Sequence, residues 1–367
     1  MIAEICRRIF MVTIQVLVPC YNYGRYLEEC VRSTLTQEQV DVDVLIIDDC
    51  CSDSTPEICR ALMKRDARVR VIRHESNIGH IATFNEGIAQ IRGDYFVLLS
   101  ADDLLAPGAL SRATSLMEAH PNVGMTYGHA ISFTDKLRGA RTSSTGTQVW
   151  GGMEWIRKVC RSGKNFLVSP EAVVRADIQR QIGGYDPELP HTGDMEMWLR
   201  IASISDIGRV RGADQAYYRV HPLSMQRTVH TGFLHDLVHR HRAFYSAFQK
   251  EGASLPEREE FYDLAKRALA RTAIRHARRL CHFPLEDSLP PTAYCDFAVV
   301  LWPAILDTFG YYALSADLRR AKRKSASTNS ISHRIAQLRK LAEDEIFSRI
   351  EWRWAKYTGT YFPRDFF

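Results

Sequence analysis

Short apolar runs separated by amphipathic ones fill the first third of the chain. TIQVLVP (Thr13–Pro19), VDVLIID (Val42–Asp48), VRVIR (Val69–Arg73) and YFVLLS (Tyr95–Ser100) are rich in β-branched residues and poor in polar ones. That is the pattern of strands buried on both faces of a sheet. Helical spacing runs between them: over Tyr26–Thr36, over Thr55–Lys64, and over Ile81–Ile91, stopping near Gly93. In the second of these Thr55 is the expected N-cap and Pro56 the first helical residue. Pro107 opens a fourth helix. Strands alternating with helices of this length predict right-handed crossovers and a mainly parallel α/β sheet covered on both faces.

The alternation loosens from Val123 to Val220, where short strands and loops mix with helices, one of them over Asp194–Ala202. Beyond His221 the pattern is helical, broken by KSASTNS (Lys324–Ser330) before a last helix towards Tyr357. The expected organisation is a leader over residues 1–11, an α/β domain over 12–225 and a helical C-terminal domain over 226–367. Arg7 and Arg8 before IFMVTIQVLVP imitate a signal peptide, but Thr13 and Gln15 interrupt the run and no small-residue cleavage site follows. The most apolar segment, Tyr294–Leu314, contains Asp296, Pro303 and Asp307. It reads as a helix pair or as a surface dipping into a bilayer, not as a membrane span.

Composition adds little to this picture. The 367 residues are 46% hydrophobic and 25% charged, with a net charge of +5. That is an ordinary globular balance, giving no cause to expect a nucleic-acid partner. Basic clusters at Arg275, Arg278 and Arg279, and from Arg319 to Lys324, read as solvated helix faces; the second reading is an anionic membrane surface or a phosphate-bearing substrate. Nine cysteines without metal-ligand spacing suit reduced thiols and a cytoplasmic location.

The chemistry lies where the strands end. Ligands of open parallel sheets bind outside the carboxyl ends of the strands. Here those ends read PCYN (Pro19–Asn22), DDCCSDST with Asp48, Asp49 and Asp53, and SADD with Asp102 and Asp103. Asp and Asn are common turn residues, so any one cluster alone is weak. Three on one rim predict a pocket for a base and its ribose, with a divalent cation between the carboxylates and a phosphorylated ligand.

The motifs VLVPCYN, DDCCSDST, NIGH…FNEGI, GDYFVLLSADD and GDMEMWLRIA come in the order and spacing of glycosyltransferase family 2, which the chain resembles over about residues 12–225. The resemblance implies a GT-A (Rossmann-like) fold and an inverting transfer from a UDP-, dTDP- or GDP-linked sugar, assisted by Mn²⁺ or Mg²⁺. It places Tyr21, between Pro19 and Asn22, against the base, and gives the base a hydrogen bond to Asp49. Asp102 falls at the ribose or metal position, Asp103 at the metal position, and His221 beside the donor phosphates or metal. Asp194 falls at the general base. Two departures stand out: Ser100 occupies the place of an earlier Asp, so strict D-x-D spacing is absent, and Phe84 replaces a basic residue before Asn85.

From the residues alone Asp194 reads first as a helix N-cap, a preference that the resemblance reverses, and Glu196 is the alternative base. Trp198 reads as core or as a wall of the acceptor pocket. The acceptor is a hydroxyl of a glycan, a lipid-linked molecule or a small molecule, and a homo-oligomer is compatible with the chain. A peripheral position at the inner face of the membrane, through the basic C-terminal region, fits the same reading. HDLVH (His235–His239) spaces two histidines like a zinc protease but carries Asp for Glu and no third ligand. No G-x-G-x-x-G follows the first strand, which excludes the common dinucleotide-binding turn. IEWRW (Ile350–Trp354) lacks the Gln of the processive synthases' Q-x-x-R-W, so Arg353 and Trp354 read as helix packing. The rival from another class is a non-catalytic nucleotide-sugar or glycan-binding module with the same fold, which would keep Tyr21 and Asp49 and be indifferent to Asp103 and Asp194.

Overall fold

A computed structural model describes residues 11–134, 136–222, 224, 232–250, 255–282 and 289–324. The expected leader up to Phe10, the KSASTNS break after Lys324, the last helix and the IEWRW segment lie outside the described residues. The described chain divides into two compact units, Met1–Trp155 with Leu167–Ser224, and Ile156–Phe166 with Met225–Phe367.

The first unit is built on an eight-stranded sheet of order β3-β2-β1-β4-β9-β6-β10-β8. Strands β1 (Thr13–Cys20), β2 (Asp41–Asp48), β3 (Val69–Arg73) and β4 (Tyr95–Leu98) form its parallel half, with Val16 opposite Val44 and Val97 in register. Helices α1 (Gly24–Leu35), α2 (Thr55–Arg65) and α3 (His80–Ala89) make the crossovers. Ile14, Val16, Leu17 and Val18 are fully buried, as in a central strand covered on both faces, and the one polar residue among them, Gln15, is buried too and accepts the Arg92 N–H (2.8 Å). Pro19 lies past the last pair between β1 and β4, Leu17 with Leu98, so its missing N–H leaves no bond to β4 unmade. The cap of α2 is Ser54, one residue earlier than expected, with Thr55 and Pro56 in the first turn.

The loosened region folds back onto this sheet. Strand β9 (Val173–Arg175) runs antiparallel between β4 and β6 (Val123–Tyr127), and β10 (Asp206–Arg211) pairs with β6 and with β8 (Gly146–Trp150). A three-stranded sheet stands apart: β5 (Leu104–Leu105), β11 (Ala216–Arg219) and β7 (Ala130–Phe133), with β11 central. Helices α4 (Ala109–Ala119), α5 (Gly152–Ser162), which from Ile156 onward belongs to the second unit, α6 (Ala176–Ile182) and α7 (Gly193–Ile204) complete the order.

The second unit is helical: α8 (Phe233–Tyr245), the 25-residue α9 (Arg258–His282), α10 (Pro291–Leu301) and α11 (Phe309–Lys324). Tyr294, Ala298, Ile305 and Leu314 of the apolar segment are buried, while Val300 and Phe309 are 84% and 85% exposed. Among the described residues no helix is long and apolar enough to cross a membrane.

Candidate active site

The carboxyl ends of β1, β2, β3 and β4 form one rim. Tyr21 stands there 52% exposed, an apolar face open to a planar ligand. Beside it Asn22 holds a left-handed backbone (φ 58°), which Asn tolerates better than most residues. Its N–H donates to Cys51 Sγ (3.1 Å), and its Oδ1 accepts from the Ser52 N–H (2.9 Å).

The acidic cluster after β2 is largely committed to the chain itself. Asp48 accepts the Cys51 N–H (2.8 Å) and tightens the turn. Asp53 accepts from the Gly24 N–H (2.9 Å) and from Thr55 N–H and Oγ1 (3.0 and 2.6 Å), so one carboxylate caps both α1 and α2. Burial pushes its carboxyl up, and those bonds outweigh it and hold it low. Asp49, expected to meet the base, accepts from the Ile78 and Gly79 N–H groups (2.9 and 3.1 Å). It thereby fixes the loop that enters α3, where Gly79 has φ 87°. His74 also touches it, with Nδ1 2.8 Å from Asp49 Oδ1 and Nε2 2.6 Å from Glu86 Oε2. Burial lowers the His74 pKa, but the bonds to the two carboxylates overcome this and raise it.

Asp102 and Asp103 point different ways, at the end of a turn that the Asp103 N–H closes on the Ser100 carbonyl (3.0 Å). Asp103, the expected metal ligand, is 1% exposed and accepts the Arg219 backbone N–H at 2.8 Å. Burial, and then the charge of Asp102, push its carboxyl well above the usual range. Asp102 is 8% exposed and lies 3.0 Å from His221 Nε2. Both carboxylates are buried, Asp103 the more completely. The Arg219 guanidinium ties the corner together. It donates to Asp102 O (2.8 Å) and Glu29 Oε2 (2.8 Å) and lies over the rings of Tyr26 and Phe133 at 4.5 and 4.4 Å. Burial and then Asp102 push the Tyr23 phenol up to about 12.

Among the described residues no group of three or more His, Cys, Asp or Glu side chains could hold a metal by itself. A hard cation in a phosphate site needs only one or two protein ligands beside the phosphate oxygens. Asp102 and His221 fit that requirement, and His221 Nδ1 is buried without a hydrogen-bond partner, as a ring held ready for a further ligand would be.

The second focus is Asp194. It is the second residue of α7, whose N-cap is Thr192, so it does not cap the helix. Its half-buried carboxylate accepts from the Tyr185 hydroxyl on Oδ1 (2.9 Å) and from the Ser169 hydroxyl on Oδ2. Burial pushes the carboxyl up; the two hydroxyls, and the charge of His80, pull it down. Ser169 sits on a single 3₁₀ turn (Ser169–Glu171) that packs against β4, β5 and β11, the strands around Asp102 and Arg219. Glu196, the alternative base, is 0% exposed and forks onto Arg200 (Nε–Oε1 2.6 Å, Nη2–Oε2 2.9 Å), leaving a reacting hydroxyl no approach. Trp198 is core, at 3% exposure.

Residues 15–180 match the model of Glycosyl transferase family 2. That stretch belongs to the family. Similar proteins include Glycosyltransferase GlyG of Streptococcus pneumoniae, 39% identical over 92 residues, 25% of this chain and 31% of that protein. An uncharacterized glycosyltransferase of Nostoc sp. is 30% identical over 216 residues, 57% of this chain and 65% of that protein. The chain spans 31% to 65% of the length of such curated relatives. Among solved structures, S. aureus TarS in complex with UDP-GlcNAc superposes with a TM-score of 0.57 at 17% identity, covering 84% of this chain and 89% of that one. The mannosyltransferase PcManGT from Pyrobaculum calidifontis, in complex with GDP-Man and Mn²⁺, gives 0.51 at 17% identity over 88% and 89%. These likenesses establish the GT-A fold.

Asp194 and His221 lie outside the family-matched stretch, so here their placement rests on geometry alone. Sequence reasoning missed four residues that the structure brings to these two clusters: His74, Ser169, Tyr185 and Arg219. For His74 a signal existed, since it is the first residue after β3 and falls on the same rim. Ser169, Tyr185 and Arg219 come to the site from distant loops and a four-residue strand, where no periodicity marks them.

Proposed function

We propose that the protein is a metal-dependent inverting glycosyltransferase that moves one sugar from a nucleotide-sugar donor to a hydroxyl of its acceptor. The observation that carries the reading is the pairing of two foci. One rim offers an exposed aromatic and an Asp–His pair, and beside it a half-buried carboxylate has each oxygen held by one hydroxyl. Tyr21 stacks on the base, and the loop that Asp49 holds at Ile78 and Gly79 shapes the pocket around it. Asp102 and His221 would hold Mn²⁺ or Mg²⁺, which supplies positive charge against the departing diphosphate. Asp103 keeps the corner in place through β11.

Asp194 accepts the proton as the acceptor oxygen attacks the anomeric carbon from the side opposite the diphosphate. The acceptor O–H bond breaks, a glycosidic C–O bond forms, and the bond to the diphosphate oxygen breaks with its electrons. The neighbours solved with UDP-GlcNAc and with GDP-Man and Mn²⁺ support a sugar nucleotide and a divalent ion as the ligands.

The second unit favours a lipid-linked acceptor at the inner, cytoplasmic face of a membrane over a soluble glycan. Val300, Phe309 and Tyr312 (61% exposed) project around the junction of α10 and α11. Arg267 and Arg271 lie over the ring of neighbouring Trp302, at 5.7 and 5.5 Å, and Arg319 and Arg320 are exposed along α11. Exposed apolar side chains flanked by cations match an anionic bilayer.

The test is a panel of UDP-, dTDP- and GDP-sugars with Mn²⁺ or Mg²⁺, read by binding and by slow donor hydrolysis. At least one donor is expected to bind and hydrolyse, and Asp194→Asn to keep binding while losing turnover. Binding without hydrolysis under every condition would leave the non-catalytic module as the better reading.

A further inference from the structure

The carboxylate at the head of α7 is gripped from two sides by groups that are themselves gripped. Tyr185 follows Gly183 and Gly184 at the end of α6, and its position is set by one amide. Asn85 of α3 accepts the Tyr185 N–H (2.6 Å) and donates to the Tyr185 carbonyl (2.9 Å), so both peptide groups flanking the ring answer to a single side chain. Arg200 closes the same turn from behind, donating to Ile182 O (2.5 Å) and Gly184 O (2.7 Å) while Glu196 holds its fork. Two glycines make room: a Cβ on Gly184 would stand 2.4 Å from Asn85 Oδ1, and one on Gly193 2.9 Å from the Tyr185 ring.

Tyr185 and Ser169 each have one proton to give, and each gives it to a different oxygen of Asp194. An ionised carboxylate has about four acceptor sites, so one further site on each oxygen stays open to a reacting hydroxyl. We propose that Tyr185 and Ser169 are positioning residues that aim the Asp194 carboxylate at the acceptor hydroxyl, with Asn85 fixing Tyr185 in turn. This rests on Asp194 being the base, and it assigns a function to three residues outside the acidic rim.

The arrangement has a consequence in pH. Two donors favour the ionised carboxylate and oppose the burial that disfavours it. The other charged groups facing this corner are His80 of α3, which also favours ionisation, and the Glu196–Arg200 pair beside Tyr185. A hydroxyl lost from one oxygen therefore raises the proton affinity of Asp194, by about one pH unit for a single charge-assisted bond.

The experiment is direct titration of the Asp194 carboxyl by ¹³C NMR in the full chain, identified by the resonance that Asp194→Asn removes. It is run on the wild type, Tyr185→Phe and Ser169→Ala, with thermal unfolding as the check on folding. Each variant keeps the shape of its side chain and is expected to move the midpoint up by about one unit. The acidic limb of donor hydrolysis, for the most active sugar nucleotide of the panel, is expected to move by the same amount. Folded variants whose midpoints stay at the wild-type value would overturn the positioning role. If instead Asp194→Asn hydrolyses donor as fast as the wild type, the base assignment falls, and the two failures are told apart.

Discussion

Replacing Arg219 with Met tests how the rim is held together. The side chain is 8% exposed and lies between β11 and α1. Met keeps most of the apolar stem, and the backbone N–H that binds Asp103 is untouched, so only the guanidinium is removed. Its loss leaves the Asp102 carbonyl short of its donor, a cost of about 1–3 kcal/mol for a buried acceptor. The two ring contacts contribute about 0.5–1 kcal/mol each. The ion pair to Glu29, whose side chain is a third exposed, adds only about 0–1 kcal/mol. Relief from burying a cation offsets part of this. The net expectation is a loss of about 3 kcal/mol, or a fall in Tm of about 6–12 °C for a unit of roughly 200 residues. Differential scanning calorimetry reads the first-unit transition, and calorimetric titration with Mn²⁺ reads the corner. Binding is expected to weaken together with stability, because the carbonyl that Arg219 holds belongs to Asp102. A transition within about 1 kcal/mol of wild type would show that the guanidinium is a solvated bystander, and the reasoning would be wrong.

Asp102→Ala is expected to abolish Mn²⁺ binding in the same titration, and His221→Ala to weaken it about tenfold or more; unchanged affinity in Asp102→Ala would remove the metal from this corner. Gly184→Ala forces the Asn85 amide off the Tyr185 backbone, so a loss of about 1–3 kcal/mol in thermal unfolding is expected. The Asp194 midpoint should rise in that variant too; a wild-type Tm would mean that the turn adapts freely. For the second unit, Phe309→Ser with Tyr312→Ser should reduce cosedimentation with phosphatidylglycerol vesicles about tenfold or more, since each aromatic contributes about 1.5–3 kcal/mol when buried. Equal sedimentation of variant and wild type would dismiss the bilayer as the partner of that face.

The parallel half of the sheet was legible because its physics is local. β1 to β4 are mainly apolar, β-branched runs ended by turn-forming residues, so β3 matches its expected span of Val69–Arg73, and β1, β2 and β4 depart from theirs by one or two residues at an end. The second half was not legible for the same kind of reason. Val173–Arg175, Leu104–Leu105 and Ala216–Arg219 are strands only because distant partners pair with them, and runs of two to four residues carry no period. Rim and base were therefore read from opposite kinds of signal. Acidic clusters at strand ends announced the rim, whereas the Asp194 corner is assembled from positions 85, 169, 185 and 194 by tertiary contact.

The adjacent carboxylates of SADD show what that difference means chemically. Two neighbouring charges at the end of a buried strand would repel each other if they shared a side. The Ser100–Asp103 turn sends Asp103 to the Arg219 N–H and Asp102 to His221. Each then has its own partner on β11 or just beyond it, so the short second sheet is what makes the pair tolerable. A D-x-D spacing would put both carboxylates on one side. Consecutive Asp residues place a single carboxylate in the pocket and leave His221 to complete the pair. On the proposed reading Asp102 therefore takes the metal role and Asp103 the structural one.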